Sequence, residues 1–178
     1  MPPPLTFRTA THADIDAIVT LVESAYRGEA SRAGWTTEAD LLGGQRTDAG
    51  KVRELVDAPG SRLILAFRDR ELVGSVLLKD EGDAVAYVGM LAVRPTLQGG
   101  GVGRTLLEEA ERVAGATLQA RTMRMTVIPL RTELVAWYER CGYRRTGAQE
   151  PFPYGDERFG RPKRHDLFFV VLTKVLPR

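Results

Sequence analysis

A glycine-rich turn between an apolar strand and an amphipathic helix is the feature that most restricts how this chain can fold. The turn, Gln98–Gly103, follows the apolar run Val85–Val93, which has the length of a buried strand. Beyond the turn, apolar residues recur every three or four positions, which predicts an amphipathic helix over 101–116. Backbone N–H groups at the start of that helix have no intrahelical acceptors, and the helix dipole adds partial positive charge there. The turn therefore predicts a phosphate-binding site.

Three apolar runs in the middle of the chain have connections that are too short for parallel pairing. They cover 63–67, 72–78 and 85–93, and turn-forming residues separate them. A parallel crossover needs a dozen residues or more, so these runs predict antiparallel neighbours.

The remaining elements complete an α/β structure with a mixed sheet. Four further strands are predicted over 5–8, 123–128, 143–146 and 166–175. Helices are predicted after the N-cap Thr11 and over 37–42, 51–56, 101–116 and 130–141, with Gly142 as the C-cap of the last one. The element order is β-α-α-β-β-β-α-β-α-β-β.

Composition indicates a folded chain without membrane spans. Of its 178 residues, 43% are hydrophobic, and no apolar run approaches the roughly 20 residues that a membrane span needs. A formal charge of +2 does not indicate nucleic acid or a membrane surface as a partner. Cys141 is the only cysteine, which excludes an internal disulfide, and no metal is expected. We expect a cytoplasmic protein with one domain over 5–178, after a proline-rich tail at 1–4 that lacks signal-peptide features.

Two common phosphate-binding motifs do not fit the glycine turn. A Walker A loop needs glycine at position 98 and lysine at position 104, but the chain has Gln98 and Arg104. A dinucleotide fingerprint that starts at Gly99 would need its third glycine at Arg104. The pattern that fits is Gln-x-x-Gly-x-Gly, formed by Gln98, Gly101 and Gly103.

With this motif, the chain resembles the GNAT superfamily of acetyl-CoA-dependent N-acetyltransferases. The segment 88–103 resembles that superfamily's coenzyme-binding segment, and 136–143 resembles its second signature, an aromatic pair shortly before a Gly-aromatic turn. The resemblance covers nearly the whole chain and implies a mixed, mostly antiparallel seven-stranded sheet with about four helices. It also implies direct transfer of an acetyl group from acetyl-CoA to the primary amine of a small molecule or peptide, through a tetrahedral intermediate.

The resemblance implies that coenzyme binds at the end of the fourth strand. The segment Leu91, Ala92 and Val93 would lie along the pantetheine arm, with Leu91 and Val93 pairing as an added strand would. The pyrophosphate would be held by Gln98, Gly99, Gly100, Gly101, Val102, Gly103 and Arg104. Arg94 either adds charge there or is a solvated surface residue.

Tyr138 matches the position of the superfamily's proton donor, although it also has the spacing of a residue that packs on the inner face of its helix. A phenol of pKa ~10 can protonate a thiolate whose conjugate acid has a pKa of ~8.5. A backbone N–H near Met90 or Leu91 is the candidate for stabilising the oxyanion.

The general base is less evident, because 84–93 carries no acid where many relatives place a glutamate. An alkyl amine is neutral in about one molecule per thousand at pH 7, equivalent to ~4 kcal/mol of barrier. Glu29, Glu38 and Asp40 lie in the region that builds the acceptor site in the superfamily. Each is either a base, acting directly or through water, or a surface charge.

Other residues allow simpler interpretations. Cys141 is expected to be buried rather than to carry an acyl group, because no histidine is near in sequence. Trp35 lines an acceptor pocket or fills the core, and His165 is expected to begin a strand. The basic segment 158–165 covers a ligand or is a solvated loop. Two other functions remain open, a CoA-binding regulatory or interaction module and a phosphate-binding NTPase, as do the monomeric and homodimeric states.

Overall fold

Alternating apolar side chains give the central strands two buried faces. In the computed structural model, which describes residues 1–178, Leu63 and Leu65 pack toward one helical layer, whereas Ile64 and Ala66 pack toward the other. Successive side chains of a strand point to opposite faces of its sheet. The sheet is therefore the middle of three layers.

Nine strands and four α-helices follow one another along the chain. The strands are β1 Thr6–Thr9, β2 Leu42–Gly43, β3 Ser61–Arg68, β4 Glu71–Gly82, β5 Val85–Val93, β6 Thr122–Val127, β7 Arg144–Pro151, β8 Arg161–Pro162 and β9 Phe168–Val175. The helices are α1 Ile15–Tyr26, α2 Ala49–Asp57, α3 Val102–Thr117 and α4 Thr132–Arg140. No helix combines the length and the apolar character that crossing a membrane requires.

Seven of the strands form one mixed sheet in the order β1-β3-β4-β5-β6-β9-β7. Every neighbouring pair is antiparallel except β5 and β6, which run parallel. The short connections between β3, β4 and β5 form hairpins, as predicted. The structure confirms the mixed, mostly antiparallel seven-stranded sheet and its four helices.

Two helices cover each face of the sheet. Ile18 and Val22 of α1 and Val52 of α2 are fully buried against one face. Leu106 of α3 and Val135 of α4 are fully buried against the other face. Full burial of such a side chain contributes about 1.5–3 kcal/mol, so these apolar stripes hold each helix against the sheet.

Two segments differ from their predicted structure. The helix predicted over 37–42 is wrong, because this segment is a turn that leads into β2, which pairs with β8. That pairing joins segments far apart in the sequence, so local propensity gives no sign of it. The turn predicted over 80–83 is also displaced, since β4 continues to Gly82 and the chain reverses at Asp83 and Ala84, which both have positive φ.

Two glycines next to or within helices should respond oppositely to alanine. Gly115 lies in α3, and an added methyl group would meet no atom within 4 Å. Glycine within a helix costs about 0.5–1 kcal/mol relative to alanine, so Gly115→Ala should raise the free energy of unfolding by that amount. Gly142 follows α4 with φ +97°, and its added Cβ would lie 3.2 Å from Lys174 Cε.

Gly142→Ala should therefore lower the free energy of unfolding by about 1–2 kcal/mol, the cost of a side chain in left-handed backbone. Urea denaturation of both variants beside the wild type measures the two changes. If both variants changed the free energy of unfolding in the same direction, the assignment of Gly115 to a helix interior and of Gly142 to left-handed backbone would be contradicted.

Candidate active site

The sheet opens where β5 and β6 part. These strands pair only over Val85–Tyr87 with Thr122–Arg124. Farther on, β6 remains paired with β9 as far as Val127, while β5 remains paired with β4. The open edge at the end of β5 can therefore accept an extended ligand as an added strand.

A β-bulge at Met90 sets the direction of this end of β5. Met90 has φ 49°, which is uncommon for a residue with a side chain, and the register with β4 shifts beside it. The bulge changes the phase of the strand, so Val88 and Leu91 face the same helical layer although they are three residues apart. The buried hydroxyl of Tyr26 donates a hydrogen bond to the Leu91 carbonyl and ties the bulge to α1.

The glycine turn leads directly into α3. Gly99 and Gly101 have φ of 83° and 87°, a backbone conformation that only glycine adopts without strain, and Gly101 is the N-cap of the helix. The 16-residue helix starts beside the open end of β5. Its first-turn N–H groups and its dipole favour an anion at this point.

Gln98 fastens the glycine turn to the loop that precedes β2. Its Oε1 accepts a hydrogen bond from Trp35 N at 2.8 Å, and its Nε2 donates to Thr36 Oγ1 at 2.8 Å and to Val93 O at 3.0 Å. These contacts occupy both ends of the amide. Gln98 therefore positions the turn, and its side chain is not free to hold a phosphate.

A cavity of about 590 Å³ lies between the end of β5, the glycine turn and α4, and we call it the glycine-turn cavity. Seven of the predicted coenzyme-binding residues line it: Leu91, Val93, Gln98, Gly99, Gly101, Gly103 and Arg104. Three do not. Ala92 packs toward the opposite helical layer, Gly100 is exposed in the turn, and Val102 is buried on the inner face of the first turn of α3.

Two arginines without an ion-pair partner stand at the glycine-turn cavity. Arg104 and Arg140 both line it with exposed guanidinium groups, which are well suited to phosphate. Arg94 instead pairs with Glu71 at 3.2 Å and donates to Leu72 O at 2.9 Å, as a surface residue does. Sequence reasoning missed Arg140, because one arginine at a helix end is a common surface feature.

Trp35 lines the glycine-turn cavity and is 37% exposed, so of its two predicted places, an acceptor pocket and the core, the core is wrong. Its ring stands edge-on to Trp137 of α4 at a centroid distance of 6.1 Å. The hydrogen bond from its backbone N–H to Gln98 brings it there. That contact joins residues far apart in the sequence, which is why local pattern did not reveal it.

A second cavity of about 180 Å³ lies on the other side of the β5 end, and we call it the arginine cavity. Its charged lining consists of Arg27, Glu38, Arg46 and Arg131. Its walls are mostly apolar and include Met90, Met125, Val127, Ile128, Phe152, Phe159 and Phe169. Four residues line both cavities: Tyr26, Leu91, Leu134 and Tyr138.

Tyr138 lies where the two cavities meet. Its side chain is buried, and its ring stands edge-on to Trp137 and Tyr143 at 5.0 and 6.0 Å. Its hydroxyl makes no hydrogen bond within the protein, whereas the Tyr143 hydroxyl donates to Glu111. Burial raises the pKa of Tyr138, so the phenol stays protonated near neutral pH. Tyr138 thus packs in the core and also lines both cavities.

Of the predicted carboxylates, only Glu38 reaches a cavity. Its Oε2 accepts from Arg27 at 3.0 Å and its Oε1 from Arg131 at 2.8 Å, and all three side chains are largely buried. Glu29 and Asp40 pair with Arg32 on the surface and line neither cavity. The structure therefore does not bring Glu29 or Asp40 to Tyr138.

The remaining candidates fall into two groups. Cys141 is buried, and burial raises the pKa of its thiol, as expected for a packing residue. His165 is exposed and outside both cavities. The basic segment 158–165 contributes Phe159 to the arginine cavity, where the Phe159 carbonyl accepts from Arg27 at 3.2 Å. This segment therefore covers a cavity and is not simply a solvated loop.

A sequence model of the acetyltransferase (GNAT) family matches residues 16–143, which include the bulge, the glycine turn and Tyr138. The chain belongs to the GNAT family. No curated protein matches this GNAT chain by sequence.

Several solved structures share the fold of this GNAT protein. One is a chimeric spermidine N-acetyltransferase from Vibrio cholerae, 18% identical, with a TM-score of 0.68 over 96% of this chain and 95% of that one. A ribosomal-protein-alanine N-acetyltransferase from Brucella melitensis is 20% identical, with a TM-score of 0.69 over 96% and 99%. An IAA acetyltransferase from Bacillus cereus is 15% identical, with a TM-score of 0.67 over 97% and 100%. At these identities the likeness establishes the fold.

The paired contacts of Glu38 predict a structural role that can be separated from catalysis. Glu38→Gln keeps the side-chain shape but leaves two largely buried arginines without a counter-charge. Removing one partner of a buried ion pair costs about 3–5 kcal/mol, so we expect the free energy of unfolding to fall by roughly 3 kcal/mol.

Glu29→Gln is the matched control, because the Glu29 side chain is 89% exposed and its pair with Arg32 is screened by water. We expect no measurable change in stability for that variant. Equal stability of the two variants in urea denaturation would show that Glu38 is not the counter-charge of this site.

Proposed function

We propose that this GNAT protein is a cytoplasmic enzyme that transfers an acetyl group from acetyl-CoA to a primary amine. The observation that carries the proposal is the meeting of two cavities at Tyr138, whose hydroxyl has no partner within the protein. Group transfer between two substrates requires their reacting atoms to be held together, and two cavities with a common wall provide that arrangement.

The glycine-turn cavity suits acetyl-CoA. The first turn of α3 would bind the pyrophosphate, with Arg104 and Arg140 supplying positive charge. The open edge of β5 at Leu91 and Val93 would pair with the pantetheine arm, which places the thioester toward Tyr138. A volume of about 590 Å³ is within the range of ordinary ligand sites.

The arginine cavity would hold the amine for direct attack on the thioester carbonyl. A C–N bond forms as the carbonyl oxygen takes negative charge, which a backbone N–H at the Met90 bulge would stabilise. The C–S bond then breaks, and the departing sulfur takes a proton from the Tyr138 hydroxyl. The attacking nitrogen loses its own proton to water, and the Tyr138 phenol regains one from solvent.

Positive charge around the acceptor would also help the amine to lose its proton before it attacks. Arg27, Arg46 and Arg131 line the cavity, and the single carboxylate, Glu38, is already paired. Nearby positive charge disfavours an ammonium ion and lowers the pKa of the amine. We propose that this field, with water as the proton acceptor, takes the place of the glutamate that β5 lacks.

Isothermal titration calorimetry tests the coenzyme site. We expect acetyl-CoA and CoA to bind and ATP to show no preference over them. Arg140→Gln should weaken acetyl-CoA binding by about 1 kcal/mol, roughly fivefold, because it removes one charge–phosphate contact. Arg144→Gln is the control, since Arg144 is exposed and lines neither of the two cavities. Binding of ATP alone would refute the coenzyme assignment.

Thiol release over a panel of amines tests the catalytic role of Tyr138. Tyr138→Phe should lower kcat 10-fold or more, within the usual effect of general acid catalysis. Because burial keeps this phenol protonated, the loss should be similar at every pH from about 6 to about 9. Tyr154→Phe is the matched control, because Tyr154 is exposed and its hydroxyl donates to Arg164 O.

Full activity of Tyr138→Phe at every pH would exclude Tyr138 as the acid. If the wild-type chain binds acetyl-CoA but releases no thiol with any amine, it is instead a CoA-binding module without catalysis.

A further inference from the structure

We infer that the acceptor is an amino-acid-like amine whose carboxylate binds Arg46 in the arginine cavity. This inference rests on the proposed acetyl transfer and specifies the chemical class of its acceptor. Three features support it: the net charge of the side chains that line the cavity, the absence of an ion-pair partner for Arg46, and the small volume and apolar walls of the cavity.

The side chains that line the arginine cavity carry an excess of positive charge. Arg27, Arg46 and Arg131 line it, and Glu38 is the only carboxylate that does so. Arg27 and Arg131 share that one carboxylate, so the cluster of four side chains has two positive charges more than negative ones. An acceptor with a negative group would balance part of this charge, whereas a polyamine would add to it.

Arg46 is the member of the cluster that has no anionic partner. Its side chain is half-buried, and its guanidinium makes no ion pair or hydrogen bond within the protein. The guanidinium makes a cation–π contact with Tyr26, whose ring centroid lies 5.6 Å from the guanidinium carbon. A guanidinium so placed is available for a bidentate pair with a carboxylate.

The backbone around Arg46 is held firmly, which fixes the position from which the side chain extends. The Glu23 carboxylate accepts from Arg46 N at 2.6 Å and from Thr47 N at 2.7 Å. Arg27, nearby in the same cavity, is largely buried, and its Nε has no acceptor. A carboxylate in the cavity would therefore meet an unpaired guanidinium whose backbone is fixed.

Arg46 is also placed to orient the amine of such an acceptor. It contacts the ring of Tyr26, and the Tyr26 hydroxyl bonds to the Leu91 carbonyl at the junction of the two cavities. With its carboxylate bound to Arg46, such an acceptor would have its amine, one carbon away, directed along Tyr26 toward the Leu91 carbonyl. The volume of about 180 Å³ and the apolar walls suit a modest apolar side chain.

Thiol release with matched acceptor pairs tests the inference. The pairs are L-methionine, L-leucine and L-phenylalanine with their carboxamides, and spermidine serves as a cationic acceptor. We expect kcat/KM at least 10-fold higher for the free acids than for the amides, and little turnover of spermidine. An amino-acid amide has a less basic amine than the free acid, so a larger fraction of it is neutral at pH 7. Amine basicity alone would therefore favour the amides, and a preference for the acids must come from binding of the carboxylate.

Arg46→Met should remove the preference for free acids, mainly through a higher KM, while Arg46→Lys should retain part of it. Arg53→Met is the control for the loss of one positive charge, because Arg53 lies exposed on α2 and lines neither cavity. Circular dichroism and urea denaturation confirm that the variants are folded. The acid-to-amide ratio of the wild-type enzyme does not depend on any variant.

The outcomes separate the two proposals. Amides equal to or better than acids, with active enzyme, would overturn the inference and leave acetyl transfer intact. Coenzyme binding without turnover of any free acid would also overturn it. An unchanged acid preference in Arg46→Met would refute the role of Arg46. Absence of acetyl-CoA binding in calorimetry would overturn the proposed function itself.

Discussion

The early separation of β5 from β6 is the constraint on which the rest of the site depends. Three paired positions hold the parallel strands together, and beyond Tyr87 each strand follows a different neighbour. The bulge at Met90 and the hydrogen bond from Tyr26 to Leu91 fix the direction of the free end. A fully paired sheet would have no open edge here, and neither cavity would have this shared wall.

The two sides of this wall differ in their electrostatics. The glycine-turn cavity offers helix N–H groups and two unpaired arginines at its surface, an arrangement suited to a flexible polyanion. The arginine cavity contains a buried Arg–Glu–Arg cluster and one unpaired arginine, enclosed by apolar walls. Solved structures named for different acceptors share the fold at 15–20% identity. The fold alone therefore does not fix the acceptor.

Several positions at and near the candidate site were predictable because their signal is local. The glycine turn, the helix that follows it and the placement of Gly142 after α4 each depend on residues close together in the sequence. Other positions gave no such signal. Met90 breaks the alternation of β5, and it is this residue and not the neighbouring Gly89 that has the positive φ of the bulge. Gln98 resembles a ligand residue until its contacts with Thr36 and Val93 are seen.

The sequence by itself determined the order of the seven strands of the main sheet and the four α-helices, the glycine turn at the start of α3 and the place of Tyr138 in its helix, because period, glycine and capping signals act over a few residues. Only the tertiary structure decided which charges meet. Glu29, Glu38 and Asp40 look alike in the sequence, yet one is enclosed by Arg27 and Arg131 while the others lie in water. Burial and ion pairing arise from contacts between distant segments, and these determine whether a carboxylate is a base, a counter-charge or a surface group.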